Sequence, residues 1–360
     1  MTPKLLVRHL IAGGLYYSGA LGRLAAKANP SWRILMYHRV INPDEEEYPL
    51  QPGMYVRPET FRRHVQYLSK NCNVVPLDHL VSLIDSRAGI PPKTVAITFD
   101  DGWADNYRYA FPILKEFRMP ATIFLITSYI GTNGLLWTDK VTFAITALAK
   151  QREHLGAATS RLRQTPGINP ALADSILSLI DPAGGGPGQD PPAPRLSQTD
   201  AFEELILALK TDPQQRDVIK STLVLLAQEF AGLKIERRFM TWDEVTEMTN
   251  YKIGFASHTH THKKLTELSP VQITDELANS FQAFRDHSIT PQPVFCYPEG
   301  AFSFETQQQL AAKKVRYVLA ASDRSDLAAN PHVLGRIGMH QDISSSTPLF
   351  AARTWLNSIF

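Results

Sequence analysis

The sequence predicts an α/β fold interrupted by a mainly helical insertion, and three observations carry that prediction. Short β-branched runs stop at polar residues, amphipathic stretches of helical spacing lie between them, and the rhythm breaks from residue 141 to residue 240. Repeated strand, polar loop and helix is the order of a sheet with crossover helices. At 360 residues the chain can form about two domains or one elaborated barrel. Its 44% hydrophobic and 20% charged content excludes global disorder and a coiled coil. With 37 Lys and Arg against 35 Asp and Glu there is no basic excess of the kind that wraps nucleic acid, so no nucleic-acid partner is expected. Cys72 and Cys296 form neither a disulfide framework nor a C-x-x-C pair.

Charge is uneven only at the N-terminus. Lys4, Arg8, Arg23, Lys27, Arg33 and Arg39 all precede the first acidic residue, Asp44. The 14 residues between Arg8 and Arg23 are fewer than the roughly 20 apolar residues of a spanning helix. Residues 1–30 are therefore expected to lie peripherally on an anionic membrane, with a secretory signal or a docked terminal helix as the alternatives; Arg23 and Lys27 stand where a cleavage region prefers small neutral residues. The corresponding location is the cytoplasmic face of a membrane, or the periplasm or exterior under the signal reading.

From Arg33 to His38 the chain reads as a buried strand ending in polar residues. Phe61, Val65 and Leu68 share one helix face, and a second short helix runs from Asp78 to Ile84. Lys93 to Phe99 is a strand that stops at Asp100-Asp101-Gly102, Pro112 opens a helical stretch, and Ala121 to Thr127 is the next strand. Between Asp181 and Arg195 five prolines and four glycines predict a surface loop inside the insertion. Order resumes at the capping box Thr241-Trp242-Asp243-Glu244 and at Ser269-Pro270, which opens a helix with Ile273, Leu277, Phe281 and Phe284 inward. Residues 346–360 are read as a C-terminal segment.

Two clusters can carry chemistry. Adjacent carboxylates such as Asp100 and Asp101 repel at a strand end unless a cation holds them, although a bare Asp-Asp-Gly also suits a helix cap and turn. His258-Thr259-His260-Thr261-His262 follows the strand Ile253 to Ala256. On a strand its three histidines share a face; in a helical turn His258 and His262 converge while His260 points elsewhere. Two histidines plus one carboxylate leave open positions on a divalent ion, the arrangement of a catalytic metal site.

In that order, Thr98-Phe99-Asp100-Asp101-Gly102, His258-Thr259-x-x-His262 and Phe295-Cys296-Tyr297-Pro298-Glu299-Gly300 resemble the first three motifs of the polysaccharide deacetylases with a NodB-type domain. The resemblance covers roughly residues 33–140 and 241–340, within a barrel domain expected over 31–140 and 241–345. It implies a distorted (β/α) barrel and a divalent metal, zinc by preference, held by Asp101, His258 and His262. Further implications are Asp100 as general base, the backbone N–H of Tyr297 as a second oxyanion donor, and an N-acetylated or lipid-linked glycan as substrate. Trp137, read as closing the loop after the strand Ala121 to Thr127, could stack on a sugar ring or be a core or rim residue; it and Pro298 are the expected substrate contacts. Leu35-Met36-Tyr37-His38 has the Leu-x-x-His form of the family's general-acid motif but precedes the Asp-Asp pair, which looks like the permuted poly-N-acetylglucosamine deacetylases. His38 is therefore the expected acid, with His340 as its rival.

One departure stands out. Many relatives carry arginine just before the Tyr-Pro of the third motif, paired with the base aspartate, whereas this chain has Cys296. Arg336 could supply that charge from another strand, or could be a surface residue. Competing readings are a hydrolase of small cyclic amides and a non-catalytic glycan-binding protein on the same fold.

Overall fold

In the computed structural model the described residues are 3–27, 31–46, 48–86, 89–181, 196–231, 237–301, 304–320, 330 and 332–356. The chain forms two compact units: residues 1–42, 53–134 and 237–360 make the first, and residues 43–52 and 135–236 the second. The insertion thus begins at 135, not 141, ends at 236 and includes a short piece near residue 48. Apart from Asp181, the Pro/Gly-rich loop lies outside the described residues.

Eleven strands are described in the first unit: β1 (Trp32–Tyr37), β2 (Arg39–Val40), β3 (Tyr55–Val56), β4 (Asn73–Val74), β5 (Thr94–Phe99), β6 (Ala121–Leu125), β7 (Ile253–Ser257), β8 (Val294–Cys296), β9 (Tyr317–Leu319), β10 (Val333–Leu334) and β11 (Ile337–Gly338). Nine join one parallel sheet in the order β10-β9-β8-β7-β6-β5-β1-β11, with β4 also on β5, while β2 and β3 pair separately. The strands β10 and β11 stand at opposite ends of this order, yet only Gly335 and Arg336 separate them. Three Cα steps span at most about 11 Å, so the two edges must approach each other. The sheet is accordingly curled into a distorted barrel, and Arg336 sits at its seam.

Strand alternation sorts the side chains. Ile34, Ala96, Phe124, Ala256, Val294, Cys296, Leu319 and Leu334 form one buried cluster with Leu77, Leu80 and Val81 of the helix Leu77–Asp85. On the other face Phe295, Tyr297 and Val318 pack against Ile273, Leu277 and Phe281 of the helix Pro270–Asp286. Because side chains repeat every second residue along a strand, His38 continues the row of Ile34, Asp100 that of Ala96, and Arg336 that of Leu334. All three emerge at the C-terminal ends of parallel strands, the end where barrel chemistry collects.

The described helices nearest the two ends of the chain pack on each other within the first unit. The helices Pro3–Tyr17 and Ala20–Ala26 bury Ala12 and Leu21 against Leu349, Ala351 and Ala352 of the helix Thr347–Trp355. The expected capping box forms at Thr241 with Glu244, and the helix that opens at Ser269 carries a second one, with Gln272.

The second unit is helical: Trp137–Ala149, Leu155–Gln164, Pro170–Ile180, Leu196–Thr211 and Pro213–Ala231. Val141, Ile145, Leu162, Ile176, Leu209 and Leu223 make its core. Trp137 opens the first of these helices instead of closing a loop, packs against that core, and has the Arg216 guanidinium 5.8 Å from its ring centroid. This packing belongs to the helical unit.

Candidate metal centre and active site

The strand β5 delivers Asp100 and Asp101 into a turn of unusual backbone. Asp101 and Gly102 both have positive φ, 75° and 84°. Aspartate is among the few residues that visit this region with tolerable cost. At Gly102 a side chain is strained by the positive φ, and a Cβ there would stand 2.8 Å from Leu125 Cδ2 and 3.0 Å from Ile130 Cδ1, so those side chains would have to shift. The Asp-Asp-Gly sequence is thus the local chemistry of a tight reversal that leaves both carboxylates buried, at 3% and 2% exposure.

The histidine run adopts neither regular geometry considered above. Thr259 and His262 both take positive φ, 68° and 62°, so the chain folds back and the His258 and His262 rings converge at 4.9 Å between centroids. His260 bonds Thr127 Oγ1 instead, at 3.0 Å. Backbone this unfavourable persists only when its surroundings over-determine it. Glu276, on the helix Pro270–Asp286, does so by accepting the N–H groups of His260 and Thr261, each at 2.9 Å, and the hydroxyl of Thr261. Within the loop the His262 N–H donates to Thr259 Oγ1 at 3.0 Å.

Asp101 Oδ1 lies 3.5 Å from Nε2 of both His258 and His262, and the three ligand atoms are within 4.8 Å of one another. His258 Nδ1 faces the Cys296 carbonyl at 2.8 Å. A carbonyl only accepts, so that nitrogen carries the proton. Burial then holds His258 neutral, pushing its pKa down to about 4 despite the neighbouring carboxylates. Its Nε2 lone pair therefore confronts carboxylate lone pairs, an arrangement that a cation resolves and a hydrogen bond does not. The residues fit a divalent ion with three protein ligands and positions left for water and substrate.

The second oxygen of Asp101 is also fixed. Trp103 Nε1 donates to Oδ2 at 2.8 Å, and the buried indole is stacked between Phe239, centroids 4.7 Å apart, and the Arg39 guanidinium, 4.6 Å from the ring centroid. Arg39 in turn holds Asp105 Oδ2 at 2.8 Å. Such outer contacts set the orientation of a ligating carboxylate.

Asp100 faces a different environment. Arg336, 1% exposed, donates from Nη1 to Oδ1 at 2.7 Å and from Nη2 to Oδ2 at 2.8 Å. Burial alone would raise the Asp100 pKa, but the Arg336 charge and its hydrogen bonds reverse this and hold it well below the usual carboxylate range. The Cys296 thiol fits between the two, accepting from Arg336 Nη2 at 3.0 Å and lying 3.8 Å from Asp100 Oδ2. Burial pushes that thiol well up, which leaves it protonated beside the arginine. The missing arginine of the third motif is therefore replaced from the β10–β11 seam.

His38 Nε2 lies 3.8 Å from Asp100 Oδ2, with its side chain 20% exposed. His340 caps the short helix Gln341–Ser344, and its Nδ1 pairs with Asp342; among the described residues it makes no ion pair or hydrogen bond to Asp100 or Asp101. The N–H of Tyr297, expected to point at an oxyanion, donates to the Leu319 carbonyl over a long 3.4 Å, and the ring is buried with its hydroxyl on Thr306 at 3.0 Å. Pro298 is buried and starts a 3₁₀ turn. The mouth of the barrel thus brings together Asp100, Asp101, His258, His262, His38 and Arg336.

Three contributors escaped the sequence reading: Glu276, Trp103 and Arg39. Only Glu276 left a trace there, as a carboxylate between Ile273 and Leu277 on the buried face of its helix.

With the geometry in place, comparison with known proteins is informative. The polysaccharide deacetylase family model matches residues 88–170 and 214–318. It enters the helical unit from both ends and stops short of both His38 and Arg336. YxkH of Bacillus subtilis, named for polysaccharide deacetylases, is 36% identical over 109 residues, 30% of this chain and 36% of its own. A poly-beta-1,6-N-acetyl-D-glucosamine N-deacetylase of Staphylococcus epidermidis is 33% identical over 80 residues, 22% of this chain and 27% of its own. The chain therefore matches about a third of the length of the first of these curated relatives and about a quarter of the second. The solved deacetylase PplD of Streptococcus pyogenes superposes with a TM-score of 0.53 at 17% identity, covering 90% of this chain and 97% of that one, a likeness of fold. Since the family match takes in more than half of all residues and the motifs that carry Asp101, His258 and His262, the chain belongs to the polysaccharide deacetylase family.

Proposed function

We propose that the protein is a metal-dependent N-deacetylase that hydrolyses the acetamide of N-acetylated amino sugars in a glycan. The observation that carries this reading is the separation of two adjacent carboxylates into two environments. Asp101 faces two histidines across a gap suited to a cation, and Asp100 is clamped by Arg336. A divalent ion, zinc by donor set, would act there as a Lewis acid and lower the pKa of water towards about 7. Asp100, kept ionised by Arg336, takes the proton from the attacking water. His38, beside it, gives a proton to the departing sugar amine, so that the acetyl carbon gains a hydroxyl and the C–N bond breaks. A binding protein would have no use for a buried base held apart from the metal ligands.

The substrate class closest at hand is poly-N-acetylglucosamine, supported by the name of the staphylococcal relative. A lipid-linked glycan met at the cytoplasmic face of a membrane is the finer reading, and the N-terminal run of positive charge supports it. The purified protein, loaded with zinc, is to be given β-1,6- and β-1,4-linked N-acetylglucosamine oligomers and a cyclic amide, with acetate and free amine measured. Acetate and amine released in equal amounts from the β-1,6 oligomers is the expected result. Turnover of the cyclic amide alone, or of none of these, would defeat the reading.

A further inference from the structure

We propose that the helical pair Pro3–Tyr17 and Ala20–Ala26 is a docking face for an anionic lipid bilayer. One side of the pair is committed to the protein, since Ala12 and Leu21 are buried against Leu349, Ala351 and Ala352. The other side is apolar as well and faces outward. Leu6, Val7, Leu10 and Ile11 are 46–68% exposed, Tyr17 is 81% exposed and Leu24 44%. These are six of the ten large hydrophobics exposed among the described residues, gathered within the first 24 positions of a 360-residue chain. At about 100° per residue, Leu6, Tyr17, Leu10, Val7 and Ile11 fall within one arc of roughly 140° that contains no charge. Scattered exposed hydrophobics need no explanation, but a continuous apolar stripe does.

Charge selects the occupant. Lys4, Arg8, Arg23 and Lys27 occur within the same 27 residues, Arg23 and Lys27 lie exposed, and no acidic residue occurs before Asp44. Apolar residues along one face with cations beside them suit the boundary between headgroups and acyl chains. A second copy of this chain suits it poorly, because a two-fold contact would bring the same cations together with no carboxylate among them. No described helix is long and apolar enough to cross a membrane, so the pair lies on the surface of the bilayer.

The test uses the full chain and flotation with two kinds of vesicle, phosphatidylcholine alone and phosphatidylcholine mixed with phosphatidylglycerol. Wild-type protein is expected to float with the mixed vesicles, less with the neutral ones, and less as salt rises. Arg23→Gln with Lys27→Gln lowers partition to the mixed vesicles about thirty-fold at low salt, each cation near an anionic surface counting for more than a factor of five. Val7→Asp with Leu10→Asp, both at exposed positions, abolishes flotation on either vesicle while leaving the melting temperature and acetate release from a soluble oligomer unchanged. Wild-type protein that stays in solution with both vesicles would overturn the proposal. So would binding that survives Val7→Asp with Leu10→Asp, or a dimer of the wild type that this pair dissolves. The outcome is independent of whether the chain deacetylates glycans, which the acetate measurement reads separately.

Discussion

Arg336 and Asp100 are joined by two parallel hydrogen bonds of 2.7 and 2.8 Å although 236 positions separate them in the chain, and both side chains are buried. The pair closes the seam between β10 and β11 and supplies the positive charge that the third motif lacks at Cys296. Removing one partner leaves the other as an uncompensated buried charge. Arg336→Met should therefore cost about 3–5 kcal/mol of stability, seen as a lower urea midpoint, and most of the turnover. Adding Cys296→Arg to Arg336→Met moves the charge to the strand where relatives carry it, and should restore part of both. A double variant no better than the single one would show that position 296 cannot present a guanidinium to Asp100.

Metal and proton transfer should part company at the two aspartates. Asp101→Ala, His258→Ala and His262→Ala each leave two protein ligands, too few for the usual three-ligand catalytic arrangement. Elemental analysis should find these variants depleted, while Asp100→Asn keeps the ion and loses about 10²–10⁴-fold in turnover. Equal metal loss from Asp100→Asn and Asp101→Ala would contradict the division of roles.

Trp103→Phe keeps the stack between Phe239 and Arg39 but deletes the N–H on Asp101 Oδ2. Loss of a partner that orients a metal ligand typically weakens metal binding about 10–100-fold. Competition with a chromogenic chelator measures this directly, and an unchanged dissociation constant would make the indole a packing element only.

His38 and His340 are separable by leaving group. His38→Ala should retain metal and fold, lose turnover of an acetamide, and lose much less on an acetyl ester whose alcohol leaves without an acid. His340→Ala, whose ring is paired with Asp342, should leave both reactions nearly intact. The opposite pattern would transfer the acid role to His340.

Away from the site, His64 carries an acid-sensitivity of the fold. Its Nε2–H donates to the Ser344 carbonyl at 2.7 Å and its Nδ1 accepts from the Tyr37 hydroxyl at 3.1 Å. Burial lowers its pKa from 6.5 to about 3. Between those values the unfolded chain binds the proton and the folded chain does not, so stability falls as the pH falls from about 6.5 towards 3. The loss is about 1.4 kcal/mol per pH unit for such a group, or about 2 kcal/mol by pH 5. His64→Gln keeps an acceptor and a donor without titrating, so its urea midpoint should fall less than that of the wild type between pH 7 and pH 5. Parallel curves for the two proteins would refute this.

Much of the molecule was legible because its signals are local. A β-branched run, a Thr-x-x-Glu box or an Asp-Asp-Gly turn is dictated by backbone sterics and hydrogen bonding within a few residues, and each of these formed where the sequence predicts it. The ligand set Asp101, His258 and His262 came from motif resemblance, and the structure brings those three side chains together. The histidine loop was not legible in the same way. Its conformation, with positive φ at Thr259 and His262, is imposed by Glu276 from another helix.

By itself the sequence determined the α/β class, the helical insertion, the two chemical clusters and the N-terminal charge, because periodicity and short-range sterics act on neighbours. Only the tertiary structure decided that Arg336 is the counter-charge of Asp100, that Trp103 and Glu276 steady the cluster of Asp101, His258 and His262, and that the N-terminal helices bury one apolar side and expose the other. The reason is physical. Alternation along a strand says which way a side chain points, but only the curling of the sheet, which joins the edge at β10 to the edge at β11, sets which charge it meets.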